Sequence, residues 1–396
     1  MQKKLIAFLN AYTQGMSGGD LRFIEIIRRL KDYEISIITS SLGKKTCESR
    51  GVKAGYIITS DEEKFGNCVF TYIVRTIRAI KYLSTVKKAD IIYSSSDFLP
   101  DTLPAYVYKR QCPCANWISF LHLLAPNPWF GYEGYYLKKK KMKFPSVNSI
   151  YFKVSQYIAV LLMKQRADVI CVVNGEIKEY LVSRGIAKDR IKVVQNGVEA
   201  DAIACIPDPK EKIYDGIFVG RFHQQKGLFD LLRIWEEVCK SNKSAKLAIV
   251  GSGGESYVKE IKNRILASGL DDNIDLLGFF DGEEKYRLLK SARVFLCPSF
   301  YESWGIVIAE ALASGLPVVA YGLPIYKEIF GEGIVTVQMG DTQEFAATVE
   351  KLLKNKDEYL ERKNAGLCLA KRYNWNDVAK NEIKILKDLY VTGCEK

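Results

Sequence analysis

The sequence predicts an α/β protein of two doubly wound domains, each a parallel sheet with helices on both faces. Short apolar runs of strand length alternate with amphipathic helical runs, the pattern of βα units. The alternation restarts after residue 200, where Tyr214–Val219 (YDGIFV) opens a second series. The 396 residues suffice for two domains of ordinary size.

In the first half, Lys4–Leu9 (KLIAFL) is a strand. A loop, Asn10–Gly19, ends in Ser17-Gly18-Gly19, and a helix follows with Leu21, Ile24, Ile27 and Leu30 on one face. Strand, glycine loop and helix in that order suit a phosphate-facing turn or a plain tight turn, and both readings stay open. Glu34–Thr39 is the next strand, a helix covers 69–83, and Ala89–Ser94 is a third strand. Trp117–His122 follows, with His122 at its C-terminal end, where open parallel sheets bind ligands. A lone histidine there serves packing as readily as function. A helix over 149–164, a strand over 167–173, a helix over 176–183 and the segment Ile191–Glu199 (IKVVQNGVE) complete the half.

Residues 126–145 (PNPWFGYEGYYLKKKKMKFP) break the alternation. Aromatic rings beside a lysine run suit an anionic membrane surface, where rings sit at headgroup depth. Nucleic-acid binding uses similar ingredients, and a solvated basic loop needs neither partner.

In the second half, the loop Gly220–Gly227 (GRFHQQKG) joins a strand to the helix Leu228–Cys239. Arg221 and Lys226 there form a fork and a point charge fit to clamp a diphosphate. Leu247–Val250 runs into Gly251-Ser252-Gly253-Gly254, which lacks the full G-x-G-x-x-G, so a nicotinamide cofactor is rejected. Ile274–Gly278 is a strand before Phe279. Cys297–Ala320 (CPSFYESWGIVIAEALASGLPVVA) places Glu302 on a loop and Glu310 about one and a half turns inside a helix. The unpaired N–H groups of that first turn make an anion site, with the glutamates as hydroxyl acceptors beside it. The plainer reading is a solvated loop acid and a locally paired helix acid. Gly305 leaves room for close backbone approach. Asp377–Tyr390 is the last helix.

Ten cysteines without paired spacing and only two histidines argue against a disulfide framework or a zinc site. No secretory leader is visible, and Tyr157–Met163 is too short to span a bilayer, so a cytoplasmic protein is expected. The net charge of +12 is uneven: residues 1–200 carry 31 Lys and Arg against 17 Asp and Glu, the remainder 27 against 29. The first half is expected to meet something anionic.

Cys297–Ala320 resembles the E-x7-E signature of the retaining glycosyltransferases of family 4 (glycosyl transferases group 1), and Gly220–Gly227 resembles their G-R-x4-K-G loop. The resemblance implies the GT-B fold, two Rossmann-like domains facing across a cleft. Residues 1–200 would be the acceptor-side domain, 201–375 the nucleotide-sugar domain, and 376–396 a helix crossing back to the first. It further implies that Glu310 takes the ribose hydroxyls. Glu302, with Ser303, Trp304, Gly305 and Ile306 through their backbone, would orient the sugar and meet the distal phosphate. Arg221 and Lys226 would neutralise the diphosphate, and Gly18 and Gly19 would close on it. Gly278 and Phe279 would hold the base, and His122 would approach the sugar, although Leu123 stands where relatives often carry an acid. His122, Glu302, Arg221 and Lys226 form the expected catalytic set.

The expected reaction uses a nucleotide-diphosphate sugar and needs no metal or other cofactor. A lipid-linked or cell-envelope glycan is the expected acceptor, reached by peripheral association through 126–145, with no nucleic acid involved. The rivals are a GT-B relative of other chemistry, such as an epimerase, and a non-catalytic sugar-nucleotide-binding protein.

Overall fold

The structure, a computed structural model, describes residues 2–13, 15–61, 65–131 and 144–393, with side chains as far as Leu389. It divides into two compact units. One comprises the chain up to Asn196, apart from 132–141, together with Trp375 onward; the other contains Gly197–Asn374. Most of the aromatic–lysine stretch over 126–145 lies outside the described residues.

The first unit runs β1 (Lys3–Leu9), α1 (Gly18–Ile27), β2 (Tyr33–Thr39), α2 (Ser41–Ser49), β3 (Gly55–Ile58) and α3 (Cys68–Tyr82). It continues β4 (Ile91–Ser94), α4 (Leu99–Gln111), β5 (Asn116–Leu121), α5 (Val147–Arg166), β6 (Val169–Val172), α6 (Gly175–Ser183) and β7 (Ile191–Val193). Its strands form one parallel sheet in the order β3-β2-β1-β4-β5-β6-β7. Leu5, Ala7 and Leu9 of β1 are fully buried with Phe23, Ile24 and Ile27 of α1, so the apolar stripe of α1 covers the middle of the sheet.

The second unit runs α7 (Ala200–Cys205), β8 (Tyr214–Val219), α8 (Leu228–Ser241), β9 (Leu247–Val250), α9 (Glu255–Ala267), β10 (Ile274–Gly278) and α10 (Gly282–Lys290). It continues β11 (Ala292–Cys297), α11 (Ile306–Ala313), β12 (Val318–Tyr321), α12 (Pro324–Ile329), β13 (Val335–Val337), α13 (Thr342–Lys354) and α14 (Lys356–Ala370). Its parallel sheet has the order β10-β9-β8-β11-β12-β13. The final helix, α15 (Trp375–Gly393), belongs to the first unit. It packs on α1 and buries Trp375, Val378, Ala379, Leu386 and Leu389 in that core.

Both sheets reverse their strand order once, between β1 and β4 and between β8 and β11. At such a switch point, neighbouring loops part and leave a crevice at the carboxyl ends of the strands. The loops that leave β8 and β11 hold Lys226 and Glu302; the loop that leaves β1 runs into the glycine pair, and those that leave β4 and β5 hold Ser95 and His122.

The glycine pair departs from the expected loop. Ser17 caps α1 through a capping box with Asp20: its hydroxyl accepts from the Asp20 N–H, and the Asp20 carboxylate accepts from the Ser17 N–H at 2.9 Å. The helix therefore begins at Gly18, and Gly18 and Gly19 form its first turn.

Candidate active site

In the second unit the switch-point loops are locked together by backbone approach. Gly227 sits at φ 67°, and a Cβ there would lie 1.9 Å from the Pro298 carbonyl oxygen. Gln225 donates from its side-chain amide to Tyr301 O at 2.6 Å, and the Phe300 N–H donates back to Gln225 O at 2.8 Å. On the other side, the Phe222 N–H donates to Ser252 O at 2.7 Å. A Cβ on Gly251 would meet Gly220 O at 1.8 Å. The glycine turn after β9 thus supports the Arg221–Lys226 loop by close packing.

That frame joins two of the expected residues directly. Lys226 Nζ lies 2.5 Å from Glu302 Oε1, which also accepts from the Ser299 hydroxyl at 2.9 Å. Both charged groups are largely buried, which strengthens their attraction. Lys226, expected at the diphosphate, and Glu302, expected at the sugar, are thus held in one ion pair. An ammonium keeps two further donors after meeting Glu302. The Arg221 side chain is exposed.

Gly305, at φ 97°, is the N-cap of α11, a left-handed position that favours glycine. The Trp304 ring is buried against Phe330 and Tyr373, at 5.7 and 5.0 Å between centroids, so it anchors the loop and leaves only its backbone to a ligand. Ser303 and Ile306 flank this turn. Glu310, one turn further, is 2% exposed. Its Oε1 accepts from Lys285 Nζ of α10 at 2.7 Å. Its Oε2 is buried and has no hydrogen-bond partner among the described residues. Gly278 closes β10 at φ 78° and accepts from the Gly251 N–H at 2.7 Å. Phe279 is 62% exposed, and its loop leads directly into α10, the helix that carries Lys285.

In the first unit the structure brings Gly19 and His122 together. A Cβ on Gly19 would lie 2.8 Å from His122 Cδ2. The imidazole stacks on Phe120, with centroids 5.7 Å apart at 15°. Its Nε2 lies 2.8 Å from Ser95 O, which can only accept, so that nitrogen carries the proton and Nδ1 stays an acceptor. Burial, then the nearby Arg22 guanidinium, lower the His122 pKa to about 4.

The unfolded imidazole titrates near 6.5, so between about pH 6.5 and 4 the unfolded chain binds the extra proton. Stability is therefore expected to fall as pH drops through that window. Denaturation midpoints of wild type and His122→Asn across it test this: the wild-type decline should be the steeper, and equal declines would refute the burial of a neutral His122.

Three supports of this corner lie outside the expected set. Asp101 accepts from the backbone of Asn10 (2.6 Å) and Ala11 (3.0 Å) and from the hydroxyls of Ser95 and Ser96, fixing the loops after β1 and β4. Burial pushes its carboxyl up to about 7 despite these donors. Arg22, over the Phe120 ring at 4.9 Å, pairs with Glu382 of α15 at 2.5 Å. The Tyr93 hydroxyl donates to the same glutamate at 2.6 Å.

No group of His, Cys, Asp and Glu with metal-binding geometry occurs among the described residues. No described helix is long and apolar enough to cross a membrane.

Comparison with known proteins now bears on this arrangement. The sequence model of the family Glycosyl transferases group 1 matches residues 206–388. That span carries the Arg221–Lys226 loop and both glutamates. Among solved structures, the fold is similar to HepE of Anabaena in complex with UDP and glucose, at TM-score 0.74, 16% identity, 98% of this chain and 100% of that one. The fold is GT-B, two Rossmann-like domains. Among curated proteins, the chain is 31% identical over 212 residues to the phosphatidyl-myo-inositol mannosyltransferase of Mycobacterium leprae, covering 51% of this chain and 54% of that protein. It is 25% identical over 204 residues to the GDP-mannose:cellobiosyl-diphosphopolyprenol alpha-mannosyltransferase of Xanthomonas oryzae, covering 50% and 53%. The chain thus spans about half the length of the curated relatives it matches.

Proposed function

We propose that the chain is a retaining glycosyltransferase of family 4 that moves a hexosyl group from a nucleotide-diphosphate sugar to a hydroxyl of a lipid-linked or cell-envelope glycan. The observation that carries this reading is Glu310. A buried carboxylate oxygen without a partner costs free energy unless a donor arrives, and ribose hydroxyls are donors of the right kind. The first turn of α11 offers its backbone N–H groups to a phosphate beside it.

In this reading the bond from the anomeric carbon to the diphosphate oxygen breaks and the acceptor oxygen bonds to that carbon. The acceptor proton passes to the departing diphosphate. Negative charge grows on the diphosphate, so Arg221 and Lys226 supply the main electrostatic stabilisation without a metal ion. Glu302 holds Lys226 in place and orients the sugar with the backbone of Ser303–Ile306. Gly278 and Phe279 take the base, and His122 with Gly18 and Gly19 serve the sugar and phosphate end. The names of the relatives support a mannosyl donor, and those of the structural neighbours a UDP-sugar. Work at the cytoplasmic face of a membrane fits a lipid-linked acceptor.

Thermal shift with UDP-glucose, GDP-mannose and ADP-glucose tests the donor site, because a ligand that binds only the folded state raises its Tm. A shift with one base, lost in Lys226→Ala and Glu310→Ala, is expected. No shift with any donor would overturn the site. A shift without turnover on any lipid-linked acceptor would favour a sugar-nucleotide-binding protein.

A further inference from the structure

Helices α3, α4 and α5 pack side by side in the first unit. The twenty-residue α5 is apolar on two opposite faces. Its inner face buries Ser155, Gln156, Ala159, Val160 and Met163. Its outer face leaves Val147 (77%), Ile150 (45%), Val154 (51%), Tyr157 (49%), Ile158 (38%) and Leu161 (40%) exposed. At 100° per residue these six fall within an arc of about 100°, a continuous stripe. On α3, Phe70, Ile73 and Ile77 repeat the pattern at 54%, 45% and 62% exposure. Between them, Phe98 at the start of α4 touches both Tyr72 of α3 and Phe152 of α5, at 5.7 Å each. Just before α5, Phe144 is 98% exposed and packs edge-on against Trp129, itself 45% exposed.

Soluble surfaces rarely gather apolar side chains in this way without a partner. The charges say which. Neither α3 nor α5 contains an aspartate or glutamate, whereas together they carry Arg75, Arg78, Lys81, Lys153, Lys164 and Arg166. Arg75 is buried and belongs to the interior, but Lys81, Lys164 and Arg166 are exposed. An apolar stripe with rings at one end, basic side chains around it and no acid on either helix is complementary to an anionic bilayer surface.

We propose that the α3–α5 face lies on an anionic lipid surface. The face reaches the candidate site through α5 itself. Gln156 donates to Leu123 O at 2.9 Å and Lys153 to Ala125 O at 2.9 Å, so α5 grips the residues that follow His122. A bilayer against α5 would set its headgroups near the His122 end of the sheet, where a lipid-linked acceptor must present its hydroxyl. In that purpose the proposal rests on the acceptor reading above; the binding itself does not.

Co-sedimentation of the full chain with phosphatidylcholine vesicles, with and without phosphatidylglycerol, tests the surface in the absence of donor or acceptor. Binding to the anionic vesicles alone, weakening with added salt, is expected. Val154→Asp/Ile158→Asp should bind roughly a hundredfold more weakly. Leu266→Asp, which changes an exposed apolar residue of the second unit, should bind as wild type. Unchanged melting of both variants shows that the fold is kept. Wild type remaining in the supernatant, or binding as strong in the double variant, would overturn the proposal. So would a wild-type dimer that Val154→Asp/Ile158→Asp dissolves, since a second copy would then cover the stripe. Failure here leaves the thermal shifts with donors untouched, and failure of those leaves vesicle binding untouched.

Discussion

Lys226→Ala is expected to lower turnover roughly a thousandfold and stability by about 2 kcal/mol, for separable reasons. Turnover falls because, in the proposed reaction, a cation is lost from the place where the leaving diphosphate gathers charge. Stability falls because Glu302, 8% exposed, keeps only the Ser299 hydroxyl as a side-chain partner among the described residues, and a carboxylate left largely buried loses its compensation. The double variant Lys226→Ala/Glu302→Gln removes the stranded charge along with the lysine. It should melt close to wild type and stay as inactive as the single variant. Denaturant titration and a donor-turnover assay on the three proteins separate the two effects. Full activity in the double variant would reduce the ion pair to a structural role. A single variant that keeps more than a tenth of wild-type turnover would move the leaving-group charge to Arg221 alone.

How much of this was legible in the sequence follows from the range of the forces involved. Strands such as Lys3–Leu9 and Tyr214–Val219 declare themselves through apolar runs, and α11 through the placement of Gly305 and Gly315 at its ends. Local pattern failed where local chemistry is ambiguous. Helix α4, LPDTLPAYVYKRQ, contains Pro100 and Pro104 and has little amphipathic contrast, so it carries no helical signature. Its start tolerates proline because the first turn has no N–H bonds to lose. Helix α5 is apolar on both faces, so composition could not say which face meets the sheet and which meets the outside.

The candidate site divides in the same way. The residues of the second unit proposed to bear the chemistry stand in two short motifs, Gly220–Gly227 and Cys297–Ala320. Their partners are distant in the chain: Lys226 with Glu302, Lys285 with Glu310, Arg22 with Glu382. Such pairs are made by the switch of strand order and by the return of α15, which no window of sequence contains. Gly251–Gly253 reads in the sequence only as an incomplete dinucleotide fingerprint, and the structure shows that these glycines let the backbone of Gly220 and Phe222 come close.

Gly19→Ala is expected to lower turnover between ten- and a hundredfold while lowering the melting temperature only slightly, because the strain at the ring and the gain from alanine in the helix oppose each other. The added methyl would lie 2.8 Å from His122 Cδ2, tighter than any real carbon contact, so the ring must move. It has little room. Phe120 stacks on it, the Ser95 carbonyl holds Nε2 at 2.8 Å, and Asp101 holds Ser95. The strain is partly offset, because alanine in the first turn of α1 restricts the unfolded chain more than glycine does. A loss of function much larger than the loss of stability would separate the placement of His122 from the integrity of the unit. The cycle with His122→Ala decides the route. If Gly19 acts through the imidazole, its substitution should cost nothing further once the ring is gone. If the two losses multiply instead, the bare backbone of Gly19 must serve a ligand directly, as the first turn of a helix can.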